Sequence, residues 1–544
     1  MQCACEVRQV EGGDGQGCQA ALPQTIKFLL IKFERTSLTW LSDEINNQCP
    51  LNYGILMKSF HIIIRRRITQ TAQRQVTTMN QLNLVFCIVL VSILMLGCQT
   101  SQAEPLISSQ EPGTFPKVNL PLIRAQDTPI EPSCTGPQPP FVTHQEILQP
   151  LQMDEPVRGN SFRDPVFGTC LVRVSDWEAD LPEEGVQRGL KNEYARVDSF
   201  NADESLLLLY STDGEWFLYD AASLTPLGEL PLGVEPRWDT QNPYLIYHID
   251  ETRLMVFDLN SGENSLVREF ANDINMGSIN AIWTRYEGRP SMDSRYWGLM
   301  AEGGDWIPLA FIVYDRLDDQ VSVRDMRDVP GIEDDVDHVT ISPKGTYFLA
   351  SFDRACQHGE LGDDANPCGL MVYDRDLENG RGLLRIVGHY DTALDMEGRE
   401  VILYQDIDTD HISMLDLESG EITPLWAIDF SHTSIGFHFS GLAYEAPGWA
   451  LVSTHSGGYP DAFTWMDNQV FAVELKAKGR VVRLAHTHSL VDQDDEHDYW
   501  AEPHASVNED FTHIVFTSNW GHSGTSDVDA YLIQLPEGWI QNLP

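Results

Sequence analysis

Four histidines, four carboxylates and one arginine stand at two fixed distances ahead of a polar turn that recurs seven times along this chain. The turn falls at Ala202, Thr240, Met292, Pro343, Met396, Glu445 and Glu509. Five residues earlier stand Val197, Glu235, Glu287, His338, Asp391, Ser440 and His504. Seven residues earlier stand Ala195, Gly233, Arg285, Val336, His389, His438 and Glu502. Side chains alternate along a strand, so these two positions share one face. If each run is the innermost strand of a sheet and the sheets surround one axis, the two tiers converge near one mouth of a channel. Convergent imidazoles and carboxylates can hold a divalent metal or shift one another's proton affinity into a useful range. They can also be polar lining, bonded to water and to neighbouring strands. Glu235, Glu287 and Asp391 are the acids of this channel ring.

Other chemistry-bearing patterns are weaker. Asp406-x-Asp408-x-Asp410 opens like a calcium loop, but His411 and Leu417 stand where its glycine and bidentate acid belong, so a polar hairpin turn is expected. His486-x-His488 is expected on a solvated loop beside the acidic run ending at Asp498. Gly521-His522-Ser523-Gly524 lacks the fifth-position glycine of a nucleophile elbow. No phosphate-binding glycine loop or dinucleotide fingerprint is present.

The elements that must position these residues repeat. Each unit has a polar turn, an apolar strand, a second strand ending in a large apolar residue plus an acid, and a third strand. The clearest unit runs Asp203-Glu204-Ser205, Leu206–Tyr210, Trp216–Asp220 and Thr225–Leu230. Comparable endings fall at Phe257-Asp258, Tyr314-Asp315, Tyr373-Asp374 and Leu415-Asp416, with looser ones at Val473-Glu474 and Ile533-Gln534. Short strands with turn signals at this period predict an all-β fold, a single seven-bladed β-propeller over residues 161–544. The last unit lacks an outer strand, and Thr169–Val174 has no unit of its own. This N-terminal strand is therefore expected to complete the last blade and close the ring.

Upstream, Leu82–Leu96 is an apolar run broken only by Asn83 and Ser92, and it ends Met95-Leu96-Gly97-Cys98. It is too short to span a bilayer and suits a signal-peptide core. A small residue before Cys98 predicts a lipobox, so residues 1–98 are expected to be an upstream extension plus signal peptide, with Cys98 acylated. Gln99 lacks the Asp associated with inner-membrane retention, which points to the outer membrane of a bacterial envelope. Residues 99–160, with Pro137, Pro139 and Pro140, are expected to form a Pro-rich tether that in part docks on the propeller. Four cysteines then remain, and the shortest loops pair Cys134 with Cys170 and Cys356 with Cys368. The formal net charge of −45 argues against nucleic acid and against membrane contact beyond the lipid.

Ile341-Ser342-Pro343-Lys344-Gly345, His504-Ala505-Ser506-Val507-Asn508 and Phe516-Thr517-Ser518-Asn519-Trp520 resemble the WD40-like, TolB-type propellers of bacterial envelopes. The last pattern, His before Ser and then a strand ending Phe-Thr-Ser, also resembles oligogalacturonate lyases. Those enzymes, and the ulvan lyases, are propellers that cleave acidic polysaccharides by β-elimination. The resemblance to oligogalacturonate lyases implies a metal (Mn, Ca or Zn) on His389, His438 and His504, with Glu502 as a fourth ligand. That to ulvan lyases implies a Tyr/Arg pair, which Tyr194 and Arg196 match loosely. β-Elimination needs a neutralised carboxylate and a base, tasks open to Arg196, Arg285 or a metal and to His338 or His504. Two readings follow: an envelope propeller that binds or processes carbohydrate, and a non-catalytic scaffold that presents its rim to envelope proteins.

Overall fold

The blades are built from short apolar strands, and in blades one, two, three and five an acidic side chain organises the turn after the third. The acid that ends the third strand turns back to accept backbone N–H groups of the next turn. Asp220 accepts from Ser223, Asp258 from Asn260, Asp315 from Leu317 and Asp416 from Glu418. The large residue before each acid (Tyr219, Phe257, Tyr314, Leu415) points the other way and is buried.

This computed structural model describes residues 134, 136–181, 189–274, 276–304, 306–330, 332, 336–457, 461–491, 496–524 and 527–543, the side chains of Glu496 and His497 excepted. The upstream extension, the signal peptide, Cys98 and most of the expected tether lie outside the described residues.

The fold is a seven-bladed β-propeller of antiparallel sheets. Blade one pairs Leu190–Lys191, Leu206–Ser211, Trp216–Asp220 and Thr225–Leu230 in that order. Blades two to six begin with the innermost strands Val234–Trp238, Ile279–Trp283, Val336–Ile341, Tyr390–Leu394 and Ile435–Ser440. Blade seven runs from Ser506–Val507 through His513–Ser518 and Asp529–Gln534 to Cys170–Arg173. There Cys170 stands opposite Gln534 and Arg173 opposite Tyr531. A fifth strand, Ser161–Arg163, extends this sheet beyond the expected elements. One four-residue helix, Trp177–Asp180, interrupts the strands.

The core lies between blades. Leu451, Val482 and Leu484 of blade six pack against Val507, Ile514, Phe516 and Ile533 of blade seven. Each such side chain, fully buried, contributes roughly 1.5–3 kcal/mol.

The described part of the Pro-rich segment is docked, not extended into solvent. Val142 bridges Arg483, and Arg483 Nη1 donates to the Glu146 carbonyl at 2.7 Å. Gln149 makes two 2.8 Å hydrogen bonds with the Ala462 backbone, and Trp520 donates to the Met153 carbonyl. Disulfides join Cys134 to Cys170 and Cys356 to Cys368.

Candidate active site in the channel

The first of two polar groups in the channel comes from blades five to seven. His438 lies on the innermost strand of blade six, and Glu502 and His504 lie on the segment entering blade seven. Nε2 of His438 is 2.9 Å from Glu502 Oε2, that of His504 is 3.6 Å from the same oxygen, and that of His455 is 4.0 Å from Oε1. The His389 ring sits 4.6 Å from that of His438, its Nδ1 donating to the Phe437 carbonyl at 2.5 Å. His504 is held at φ +42, in the left-handed region that a side chain of its size rarely adopts.

His455 was absent from the sequence expectation because it sits on the second strand of its blade. It reaches the channel over Gly436, its partner in register. A Cβ at position 436 would stand 2.4 Å from the His455 Nε2 and Cε1 atoms, so only glycine leaves room for the ring.

Burial pushes His438 down to about 3 and lowers His455 and His504 as well. Burial alone would raise Glu502, but His455, the hydrogen bond from His438 and the other imidazoles hold it down at about 2. The result is a nest with a Glu502 carboxylate anion beside His438, His455 and His504, whose charged forms burial disfavours. Among the described residues, Nδ1 of His438, His455 and His504 is buried with no hydrogen-bond partner.

The second group spans blades one, three, four and five. Arg196 Nη1 lies 2.7 Å from His338 Nε2, and the Tyr390 hydroxyl lies 3.0 Å from the same nitrogen. On the other side of the ring, His338 Nδ1 faces Asp337 at 3.2 Å and Glu287 at 3.4 Å. The Arg196 guanidinium also stacks on the Tyr390 ring, 4.4 Å from its centroid. A guanidinium can only donate, so His338 Nε2 carries the lone pair and Nδ1 the proton. Burial and Glu287 keep the Tyr194 phenol protonated, and burial does the same for Tyr390.

Tyr194 joins the groups. Its ring lies 4.9 Å from that of His504 and 5.7 Å from that of His438, and Arg196 sits 5.6 Å above it.

The remaining expected residues go elsewhere. Glu235 accepts from the Thr284 and Tyr286 backbone and from the Thr284 hydroxyl, an inter-blade clamp. Asp391 pairs with Arg289 at 2.7 Å and accepts from Gly441. Arg285 is bound to Glu302 at 2.5 Å and to the Val336 and Trp306 carbonyls, and no described contact brings it to His338. Of the channel ring, Glu287 alone touches Arg196 and His338.

The sequence reading passed over Arg289, which lies across the channel with donors to the Arg196 and Thr392 carbonyls and to Tyr444. Carrying the alternation one step further, to three residues before the turn, lands on Arg237 and Arg289. Beyond Arg289, toward the turns, a cavity of about 350 Å³ opens, rimmed by Asp198, Glu204, Glu445 and Glu509. Burial and the neighbouring Glu445, Glu204 and Asp510 push Glu509 up to about 7.

The weaker motifs are structural. Asp406 caps its own hairpin turn, and Asp408 pairs with Arg385. His486 and His488 are buried rather than on a solvated loop, His488 stacking on Trp520. Ser523 donates to Asp498.

The residues of the nest fit a metal. His438, His455 and Glu502 offer ligand atoms within 4.8 Å of one another, with His389 and His504 beside them. The three Nε2 atoms converging on Glu502 and the space that Gly436 keeps for the His455 ring are both consistent with a bound ion. Imidazole donors favour Zn over Ca or Mn. Glu287, Asp337 and His338 are also close together, but the Arg196 cation beside them makes that a poor place for a second one.

No family model matches the chain, and no curated relative is found. Solved structures with a similar path include an oligogalacturonate lyase from Vibrio parahaemolyticus (13% identity, TM-score 0.46, 70% of this chain and 100% of that one). Another is the Cps50 (Swd1) β-propeller domain of Myceliophteria thermophila (12% identity, TM-score 0.35, 62% of this chain and 96% of that one). Likeness at this level says nothing about substrate or chemistry.

Proposed function

We propose that this propeller binds and processes carbohydrate, cleaving a uronate-containing polysaccharide by β-elimination with a divalent metal held at His438, His455 and Glu502. The observation that carries this reading is the contact of Tyr194 with both groups, which makes the arginine, the imidazole–phenol pair and the histidine nest parts of one site.

β-Elimination takes the proton from the carbon beside the sugar carboxylate, breaks the neighbouring C–O bond and leaves a carbon–carbon double bond. Arg196, buried and cationic, receives the carboxylate and stabilises the charge that builds on it as the proton leaves. As Arg196 turns its Nη1 from His338 Nε2 to the sugar carboxylate, the Tyr390 oxygen takes that proton while its own hydroxyl proton passes to the freed Nε2 lone pair. Asp337 holds the His338 Nδ1–H through this transfer and stabilises the imidazolium that results. Tyr194, kept protonated, donates to the departing sugar oxygen. When bound, the metal supplies positive charge that further acidifies the C–H bond. The acidic surface repels a polyanion at long range, so attraction has to be local, at Arg196 and the metal.

The test is to incubate the purified protein with pectate, alginate, ulvan and glycosaminoglycans and to follow the ultraviolet absorbance of unsaturated uronate. A rise on at least one polymer is expected. A flat trace on all of them, from a protein that carries no metal, would sink the lyase reading and leave the scaffold reading.

A further inference from the structure

We propose that Glu287 is a specificity-determining residue, occupying in the free protein the place of the substrate's carboxylate and yielding Arg196 only to an anionic sugar. The proposal rests on the reading of Arg196 as the uronate-binding cation.

Glu287 Oε2 lies 3.1 Å from Arg196 Nη1 and 3.4 Å from His338 Nδ1. The two residues it covers are almost fully buried, at 3% and 1% side-chain exposure, whereas Glu287 is 28% exposed. Its carboxylate therefore approaches a buried guanidinium–imidazole pair from the solvent side. Among the described residues, it is the one carboxylate within ion-pair distance of Arg196.

A buried guanidinium stripped of its anion is costly, so Arg196 exchanges one carboxylate for another far more readily than it gives one up. A uronate restores the charge and hydrogen bonds that Glu287 withdraws, and a neutral sugar restores neither. The structure also leaves His338 undisturbed by the exchange, because Asp337 Oδ2, at 3.2 Å from Nδ1, keeps that proton in place. Discrimination between acid and neutral sugar then comes from the protein's own competing anion as much as from new contacts. It also lowers the apparent affinity for the acid, by the fraction of time that Arg196 is free.

Calorimetry with methyl galacturonide, which has no leaving group to eliminate, and with its neutral methyl ester tests this on the full protein. Three forms are compared: the natural protein, Glu287→Gln and Glu287→Asp. The Asp side chain keeps the charge but draws it back from Arg196 by one methylene. If the ion pair is closed about 90% of the time, both variants bind the acid on the order of tenfold more tightly, with the ester unchanged. Wild-type affinity in Glu287→Asp, with a gain in Glu287→Gln alone, would mean general charge repulsion and overturn the proposal. So would the absence of a gain in either variant, or lyase turnover with an unaltered KM in both. Failure of all three forms to bind the acid, with no unsaturated product from any polymer, would overturn the functional reading and this proposal with it.

Discussion

At the scale of single residues, the channel divides into groups that hold blades together and groups left for chemistry. Glu235 and Asp391 spend their oxygens on neighbouring strands. His338 Nε2 instead faces Arg196 and the Tyr390 hydroxyl, with no blade-to-blade backbone partner of its own among the described residues. Tyr390→Phe should therefore lower kcat on uronate polymers by on the order of 10²–10⁴-fold, with KM and melting temperature close to wild type. Wild-type kcat in that variant would remove Tyr390 from the proton path. The two tiers made His338, His389, His438, His504, Glu502 and Glu287 legible in the sequence. They missed Asp337 and misplaced Arg285 for one reason: strict alternation fails at irregular backbone. The register shifts between Val336 and His338, so Asp337 and His338 can both reach the site. Arg285 and Tyr286 both have positive φ, 62° and 70°, beyond the end of their strand at Trp283, and the side-chain phase is lost there.

At the scale of elements, the repeat was the most readable part of the chain. Its acid-terminated strands are local: Asp220, Asp258, Asp315 and Asp416 fold their own turns, so short-range sequence carries the signal. That part of the segment before residue 158 docks was expected, but not where, because the bonds of Gln149 and Glu146 go to a blade more than 300 residues away. Arg483 shows what that segment does. It is fully buried, burial pushes it down to about 10, and its donors go to Gln469 and to carbonyls of the docked segment. A chain beginning at residue 158, compared with a Cys134→Ser form of the longer chain so that the Cys134–Cys170 disulfide is absent from both, should lose about 3–5 kcal/mol in denaturant unfolding, as expected when a buried charge loses its partners. Arg483→Met in that shortened chain should recover part of the loss. No recovery would mean that the segment stabilises the propeller through its other contacts.

At the scale of the whole molecule, the ring of blades brings residues from Tyr194 to His504 to one axis, a convergence that the recurring turn reports only for the innermost strand of each blade. His455 illustrates the limit. Only the packing of a second strand over Gly436 brings it to the nest. The wider claim is that the ring assembles a β-elimination centre that depends on a metal. The most direct measurement is mass spectrometry of the oligosaccharides released from a uronate polymer, comparing protein stripped of metal with the same protein reloaded. The expected result is product from the reloaded protein alone, its new non-reducing end lighter by one water than a hydrolytic fragment. Fragments of hydrolytic mass, or equal yields with and without metal, would contradict it.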